Sequence, residues 1–191
     1  MMHYRNIAEE WFGVARLTVP VPSFDEFQAR YEAAVPALPT EAVTRLISQT
    51  APWPEMLNLI DEEAPHGFLI YFRNDLHPVM ALAGNRNART SYLMGNHTIA
   101  ERMFRHDPRV MLYAPLHTLI WQDGAGDTWF SVDQPSTQFR SFGIPEVAQV
   151  GFELDRKLAL LFDALEVPVA VSLLNHKAEP ENPDACGHPS T

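Results

Sequence analysis

The fold is decided by residues 95–136, which read GNHTIAERMFRHDPRVMLYAPLHTLIWQDGAGDTWFSVDQPS. Asn96 predicts the start of a helix, because an Asn side chain at the N-cap accepts hydrogen bonds from backbone N–H groups two or three residues on. The apolar residues of this helix share one side, and Asp107 and Pro108 end it. A long strand, a glycine-rich turn and a return strand are then expected over residues 110–121, 122–127 and 128–133. The block therefore predicts a helix followed by a β-hairpin.

Helices and strands are mixed along the rest of the chain. Strands are predicted over residues 14–22, 67–73, 90–94 and 167–174, with a short turn or strand over 79–83. Helices are predicted over residues 23–34, 40–49, 53–61 and 145–165. Ser23 and Glu26 form a capping-box pattern at the first of these. We therefore expect an α+β fold of two layers, with a mixed or mainly antiparallel sheet whose helices pack on one face.

Composition limits the class of protein. The chain has 191 residues, 46% of them hydrophobic and 20% charged, which is typical of one globular domain. We expect that domain to span residues 1–176 and a disordered polar tail to span 177–191. Lys and Arg number 14 against 24 Asp and Glu, so the net charge of -10 argues against a nucleic-acid partner. A single cysteine, Cys186, and the lack of a signal sequence or a membrane-spanning apolar run favour a cytoplasmic protein without membrane contact.

The two faces of the predicted hairpin differ in chemistry. Side chains alternate across a strand, and one alternate set is expected to pack on the helices: Leu112, Ala114, Leu116, Thr118, Ile120, Phe130 and Val132. The other set is mixed: Met111, Tyr113, Pro115, His117, Leu119, Trp121, Trp129, Ser131 and Asp133. Helices cover only one side of a two-layer fold. The mixed face is therefore covered by the chain's own N-terminal segment or tail, by a second subunit, or by a small molecule.

If a ligand binds, this mixed face is where we expect it. The predicted ligand-binding residues are Tyr113, His117, Trp121, Trp129, Ser131, Asp133 and the nearby Asn96. No cofactor is predicted.

Catalytic and metal-binding chemistry have only partial signatures. His117 is a candidate base if the strand register places it near Asp133. His97 and Glu101 are four residues apart on one helix and could supply two metal ligands, whereas a catalytic zinc site usually needs three. Exposed helix-surface residues are the preferred interpretation of that pair. Residues 133–136 place a carboxylate, an amide and a hydroxyl at a strand end, but Asp and Pro are equally typical of a strand stop.

Several of these motifs together resemble a known family. The chain resembles the domain-of-unknown-function 302 family of small, mostly bacterial α+β domains. The resemblance rests on three motifs: Gly95 and Asn96; Asp107 and Pro108 before residues 110–115; and residues 133–136 before a final amphipathic helix. The resemblance is clearest over residues 67–165. It implies a two-layer fold and frequent dimerisation, and no settled activity.

The chain departs from that family at the start of the helix and in the long strand. Members commonly follow the capping Asn with Pro, where this chain has His97. Many carry a cysteine where this chain has Gly95 or Ala114, so a thiol-dependent role is not available to it.

The sequence supports three hypotheses for function. The first is a small cytoplasmic protein without catalysis that forms a homodimer and holds a small ligand against the mixed face. The second is an enzyme that uses His117 and Asp133, or a metal at His97 and Glu101. The third is an interaction module that uses the acidic tail after residue 177.

Overall fold

One five-stranded antiparallel sheet organises the computed structural model, which describes residues 13–174. Its strands are β1 (Arg16–Val21), β2 (Leu69–Asp75), β3 (Arg89–Gly95), β4 (Leu116–Gln122) and β5 (Thr128–Asp133). They lie side by side in the order β1-β5-β4-β3-β2. The helices are α1 (Phe24–Ala34), α2 (Thr40–Ser48), α3 (Trp53–Glu63), α4 (His77–Leu82), α5 (His97–Phe104), α6 (Pro135–Phe139) and α7 (Pro145–Ala164). The predicted α+β class is confirmed.

The sheet buries one face against helices. In β1, β3, β4 and β5 alternate residues are buried, as expected where only one side of a strand meets a core. The buried set includes Leu116, Thr118, Ile120, Phe130 and Val132, as the sequence predicts.

The helical layer fills the core behind that face. From α7 the side chains of Val147, Val150, Leu154, Leu158 and Phe162 are buried at steps of three and four, as predicted. Phe27 and Tyr31 of α1 lie against Phe130, with ring centroids 5.5 and 5.4 Å away. None of the helices within residues 13–174 is long and apolar enough to cross a bilayer.

A polar cluster fastens α1 to the sheet. The Glu32 carboxylate accepts hydrogen bonds from the Tyr92 hydroxyl at 2.7 Å, the Gln28 amide at 3.0 Å and the Arg73 guanidinium at 2.9 Å. Burial alone would raise the pKa of Glu32, but these hydrogen bonds and the charge of Arg73 together hold it below the ordinary value of 4.5. The folded state therefore favours the ionised form.

Residues 110–115 are not a strand, so the predicted strand over 110–121 is wrong in its first half. Pro108–Leu112 is a 3₁₀ helix, because the Asp107 carboxylate accepts a hydrogen bond from the backbone N–H of Arg109 at 2.8 Å and turns the chain. Pro115 has no N–H to donate, and β4 begins after it. Leu112, predicted to pack on the helices, is 78% exposed as a result.

Three local predictions also need correction. Residues 79–82 belong to α4, where Pro78 occupies the first turn and needs no N–H, and Ala83 lies in the turn that follows. Residues 167–174 form no strand; Leu173 is buried against the core from a 3₁₀ helix, and Pro168 lacks a donor for a ladder. At α1 the Ser23 hydroxyl meets the Glu26 carboxylate at 3.5 Å and caps no backbone N–H, so the capping box is not formed. The predicted tail over 177–191, with Cys186, lies outside the described residues.

The predicted cap of α5 is confirmed. The Asn96 side-chain oxygen accepts hydrogen bonds from the backbone N–H groups of Thr98 at 2.9 Å and Ile99 at 3.2 Å. Its amide donates to the Gly67 carbonyl at 3.0 Å. Asn96 thus joins the start of α5 to the chain that enters β2.

Replacing Asn96 by Ala should lower the free energy of unfolding by about 1–2 kcal/mol, because α5 loses its cap and Gly67 loses a donor. Asn96→Asp keeps the capping oxygen and should lose less. Asn85→Ala, in an exposed turn, is the matched control and should change stability by less than about 0.5 kcal/mol. Urea denaturation measures all three, and an Asn96→Ala variant as stable as the control would contradict this role.

The Glu32 cluster should make stability depend on pH. A carboxyl group whose pKa is lowered by folding stabilises the protein above its unfolded pKa, and that stability is lost as pH falls through the lowered folded value. Glu32→Gln should therefore be less stable than the wild type at pH 7 and should lose less on acidification below about 4.5. Glu62→Gln, at an exposed position of α3, is the control. Parallel pH profiles for Glu32→Gln and the wild type would be evidence against the cluster.

Candidate functional site

The second face of the sheet is left uncovered by the helices within residues 13–174. We define this open face by three rows of side chains that run across the strands in register. The first row is Arg16, Asp133, His117, Leu93 and Phe72; the second is Thr18, Ser131, Leu119, Ser91 and Asn74; the third is Pro20, Trp129, Trp121 and Arg89. Phe72 is 55% exposed and His117 is also exposed. The open face combines apolar and polar side chains.

Two tryptophans anchor one end of the open face. The rings of Trp121 and Trp129 stack, with centroids 6.3 Å apart and planes 27° from parallel. Trp121 Nε1 donates to the Ser131 hydroxyl at 2.9 Å, and Trp129 Nε1 donates to the Asp123 carboxylate at 2.9 Å. Thr18 and Ser131 are joined by a hydroxyl–hydroxyl contact of 3.0 Å. Both indole N–H groups have hydrogen-bond acceptors within the chain. These hydrogen bonds orient the rings, and the ring faces are available for packing.

An open depression of about 490 Å³ lies over the first and second rows and extends to Trp121. It is lined by Arg16, Thr18, Ser91, His117 and Ser131, together with Asp133 and Trp121. The Arg16 guanidinium donates hydrogen bonds to both carboxylate oxygens of Asp133, at 2.6 and 3.1 Å. This exposed ion pair removes the net charge from the centre of the depression.

The predicted catalytic residues His117 and Asp133 lie on adjacent strands, but no hydrogen bond joins them in the described part of the chain. Thr118 pairs with Val132 in the antiparallel register, so His117, one residue before Thr118, lies opposite Asp133, one residue after Val132. Both oxygens of Asp133 are engaged by Arg16, and no hydrogen bond links His117 to Asp133 in the described part of the chain. A base needs its orienting carboxylate within hydrogen-bond reach. The observed geometry supplies no such arrangement.

Tyr113 and Asn96 lie apart from the other predicted ligand-binding residues. Tyr113 meets the rings of Phe139 and Phe142 edge-on, with centroids 6.4 and 5.9 Å away, because the 3₁₀ helix before it takes it out of β4. Asn96 uses its side chain as a cap. The remaining predicted residues, His117, Trp121, Trp129, Ser131 and Asp133, share the open face.

The predicted metal ligands have other neighbours. Glu101 is paired with Arg105. The His97 ring stacks on Tyr71, with centroids 4.7 Å apart. Residues 13–174 contain no group of three or more His, Cys, Asp or Glu side chains arranged to hold a metal ion.

The strand end at residues 133–136 has a structural role. Asp155 of α7 is fully buried, and its carboxylate accepts hydrogen bonds from the Gln134 amide at 2.6 Å and the Ser136 backbone N–H at 2.9 Å. The Gln134 backbone N–H donates to the Ala15 carbonyl at 2.7 Å. Buried polar groups require such hydrogen bonds, and these connect the end of β5 to α7.

Other open-face residues were missed by the hairpin pattern. Arg16 and Thr18 come from β1, and Ser91 and Leu93 come from β3. The alternation of apolar and polar side chains within residues 14–22 and 90–94 indicates which of them point away from the core. The sequence does not indicate which strands are neighbours. Strand order, rather than strand identity, was the missing information.

This two-layer fold with one open sheet face defines a class of small α+β domain, and comparisons with known proteins agree. The description "Domain of unknown function DUF302" belongs to a family model that matches residues 56–165. The chain belongs to this family. A solved structure described as "uncharacterized conserved protein DUF302 from Bacillus stearothermophilus" is similar, with a TM-score of 0.54 and 14% identity. The match covers 80% of this chain and 97% of that one, and at this identity it concerns the fold alone. A search of curated proteins gave no match.

Ser131→Ala should disturb the open face, because it removes the partner of both Trp121 Nε1 and the Thr18 hydroxyl. We expect the free energy of unfolding to fall by about 1 kcal/mol and the tryptophan fluorescence to change. Ser91→Ala is the matched control, since Ser91 lies in the same row and its hydroxyl has no hydrogen-bond partner within residues 13–174. Equal effects of the two substitutions would contradict the anchoring of Trp121.

Proposed function

We propose that this protein acts without catalysis as a homodimer, and that two copies meet through the open face. The observation that carries the proposal is a sheet face with stacked, rigidly held tryptophans that the helices leave uncovered. Tryptophan is enriched among the residues that contribute most of the binding energy in protein interfaces.

Several polar groups of the open face already have partners, and this favours burial of the face against a protein surface. Arg16 pairs with Asp133, Thr18 with Ser131, and both indole N–H groups have acceptors in the chain. Covering such groups costs less than covering unpaired ones, because their hydrogen bonds are already made. The residues between them, Leu93 and Leu119, are apolar and only partly buried. Their burial would stabilise a complex.

Charge favours a second copy at this face. The chain carries a net charge of -10, so two copies repel each other over most approaches. Acidic residues are concentrated in the helices; α3, for example, carries Glu55, Asp61, Glu62 and Glu63 without a basic residue. On the open face the charges of Arg16 and Asp133 cancel, and Arg89 lies opposite Trp121. Within residues 13–174, the open face is therefore a side on which like-charged copies can approach with little repulsion.

The size of the face predicts a weak dimer. Five strands about 4.8 Å apart and about six residues long give a planar area of roughly 500 Å² per copy. Specific interfaces bury about 600–1,000 Å² per partner, so this one is at or below the low end. We therefore propose a dimer that forms at micromolar or higher concentration.

A second candidate is a small polar ligand in the depression beside Arg16. It is favoured by the exposed His117 ring and the Ser91 hydroxyl, which lie together there and have no hydrogen-bond partner in the described residues. A catalytic use of His117 has less support, because Asp133 is engaged by Arg16.

Leu119→Arg places a charge at the centre of the open face and should raise the dimer dissociation constant at least tenfold, since the buried charge would lack a partner. Leu82→Arg is the matched control, because Leu82 is 91% exposed at the end of α4. Light scattering over a concentration series should show the wild type and Leu82→Arg approaching twice the 21.6 kDa chain mass while Leu119→Arg stays near it.

Two results would contradict the dimer proposal. One is a wild type that keeps the mass of a single chain at every concentration. The other is a Leu119→Arg variant that folds normally and self-associates like the wild type. In the first case, a titration with small polar compounds that perturbs His117 would favour the second candidate.

A further inference from the structure

A cavity of about 550 Å³ lies between α3, α5 and α7. The segment over residues 64–67, which joins α3 to β2, also lines it. None of the described residues in its wall belongs to the open face. Sites for small molecules usually have volumes of about 300–1,000 Å³. The cavity is therefore large enough for a small molecule, at a place separate from the open face.

Lys157 of α7 brings an ammonium group without a partner to this cavity. It is the only lysine within residues 13–174. Its side chain is half-buried, and its Nζ forms no hydrogen bond or ion pair with the described residues. The nitrogen is nevertheless not among the fully buried polar atoms of this region, so it keeps accessible surface. An accessible, unpaired cation in a cavity is available to an anionic ligand.

Gly67 fixes the place of this ammonium at the cavity wall. A Cβ atom at Gly67 would lie 2.8 Å from Lys157 Nζ and 3.3 Å from Lys157 Cδ. The end of the lysine side chain therefore occupies space that a larger residue at position 67 would fill. Gly67 itself lines the cavity, and its carbonyl already accepts a hydrogen bond from the Asn96 amide. The Lys157 ammonium thus lies against a lining residue rather than extending away from the cavity.

Two exposed leucines from different helices line the same cavity. Leu57 of α3 is 42% exposed, and Leu160 of α7, one turn after Lys157, is 67% exposed. Ile60 and Ile99 are buried and also contribute to the wall. Covering exposed leucine side chains is favourable in proportion to the apolar area removed from water. A ligand with an apolar body gains this energy, whereas an inorganic anion does not.

Asp61 limits the negative charge of such a ligand. Its exposed carboxylate lines the cavity but forms no ion pair with Lys157 in the described part of the chain. The ammonium can balance one negative charge. A dianion such as phosphate would bring a second negative charge close to Asp61, in a chain whose net charge is already -10. A single carboxylate is therefore the anionic group that fits this wall.

We propose that this cavity binds a small monocarboxylate with an apolar body, such as a short aliphatic acid in its ionised form. The carboxylate pairs with the Lys157 ammonium, and the hydrocarbon part packs against Leu57 and Leu160. A hydrogen bond between charged groups is about twice as strong as one between neutral groups, so the site prefers the acid to its amide. The site shares no residue with the open face and does not depend on dimerisation.

Hexanoate is the probe, and hexanamide and acetate are the control ligands, each added to the full chain. Hexanamide keeps the hydrocarbon part without the charge, and acetate keeps the charge without most of the hydrocarbon. Binding is followed through the backbone amide resonance of Gly67, which lies beside the Lys157 ammonium. We expect saturable binding of hexanoate with a dissociation constant on the order of 1 mM, and binding of each control that is at least about fivefold weaker.

Lys157→Met removes the charge and keeps an unbranched side chain. It should weaken hexanoate binding at least about tenfold and change hexanamide binding by less than about twofold. Arg156→Met is the matched control, because it removes one positive charge from an exposed neighbour that does not line the cavity. This control should change hexanoate binding by less than about twofold. Leu160→Ala should weaken hexanoate binding about threefold and leave acetate binding unchanged.

The amide spectrum of each variant shows whether it is folded, and Lys157→Gln takes the place of Lys157→Met if that variant is not. The proposal is overturned if hexanoate does not bind saturably to the wild type up to about 20 mM. It is also overturned if hexanamide binds as tightly as hexanoate, or if Lys157→Met weakens hexanoate binding no more than Arg156→Met does. Light scattering on the same samples measures dimerisation separately.

Discussion

Side chains in an antiparallel sheet alternate between two faces, and in this protein the described helices cover only one of them. That constraint divides the residues of each strand between the core and the surface. It requires Leu116, Thr118 and Ile120 of β4 to enter the core, and it leaves His117, Leu119 and Trp121 on the other side. Because the register is continuous across β1, β5, β4 and β3, the exposed side chains form straight rows rather than isolated contacts. The open face is therefore a consequence of the core.

The two surfaces of the domain have different electrostatics. Most acidic side chains lie on the helices, and several form ion pairs there, such as Glu153 with Arg102. On the open face Thr18, Ser131 and Trp121 are joined by hydrogen bonds, and the Trp121 and Trp129 rings stack. We propose this surface as the place where two copies of the chain meet.

Much of this architecture is predictable from the sequence, and the errors have local causes. The Asn96 cap, the β4–β5 hairpin and the apolar stripe of α7 depend on short-range patterns and are confirmed. The first half of the predicted long strand is a 3₁₀ helix instead, because the Asp107 carboxylate accepts a hydrogen bond from the Arg109 backbone N–H and Pro115 has no N–H to donate to a sheet. The ion pair of Arg16 with Asp133 depends on β1 lying beside β5. The stacking of Tyr71 on His97 depends on α5 following directly after β3. Neither is encoded in any single segment, so neither could be predicted from periodicity.

Hydroxyl-radical footprinting over a range of protein concentrations tests the central claim most directly, because it measures which faces are covered. Leu93, Leu119 and Trp121 report on the open face, and the exposed Leu82 and Leu160 report on the helical layer. We predict that labelling of the first group falls as the concentration rises through the micromolar range, while labelling of the second group stays constant. Constant labelling of the open face at every concentration, or protection of both groups together, would contradict association through this face.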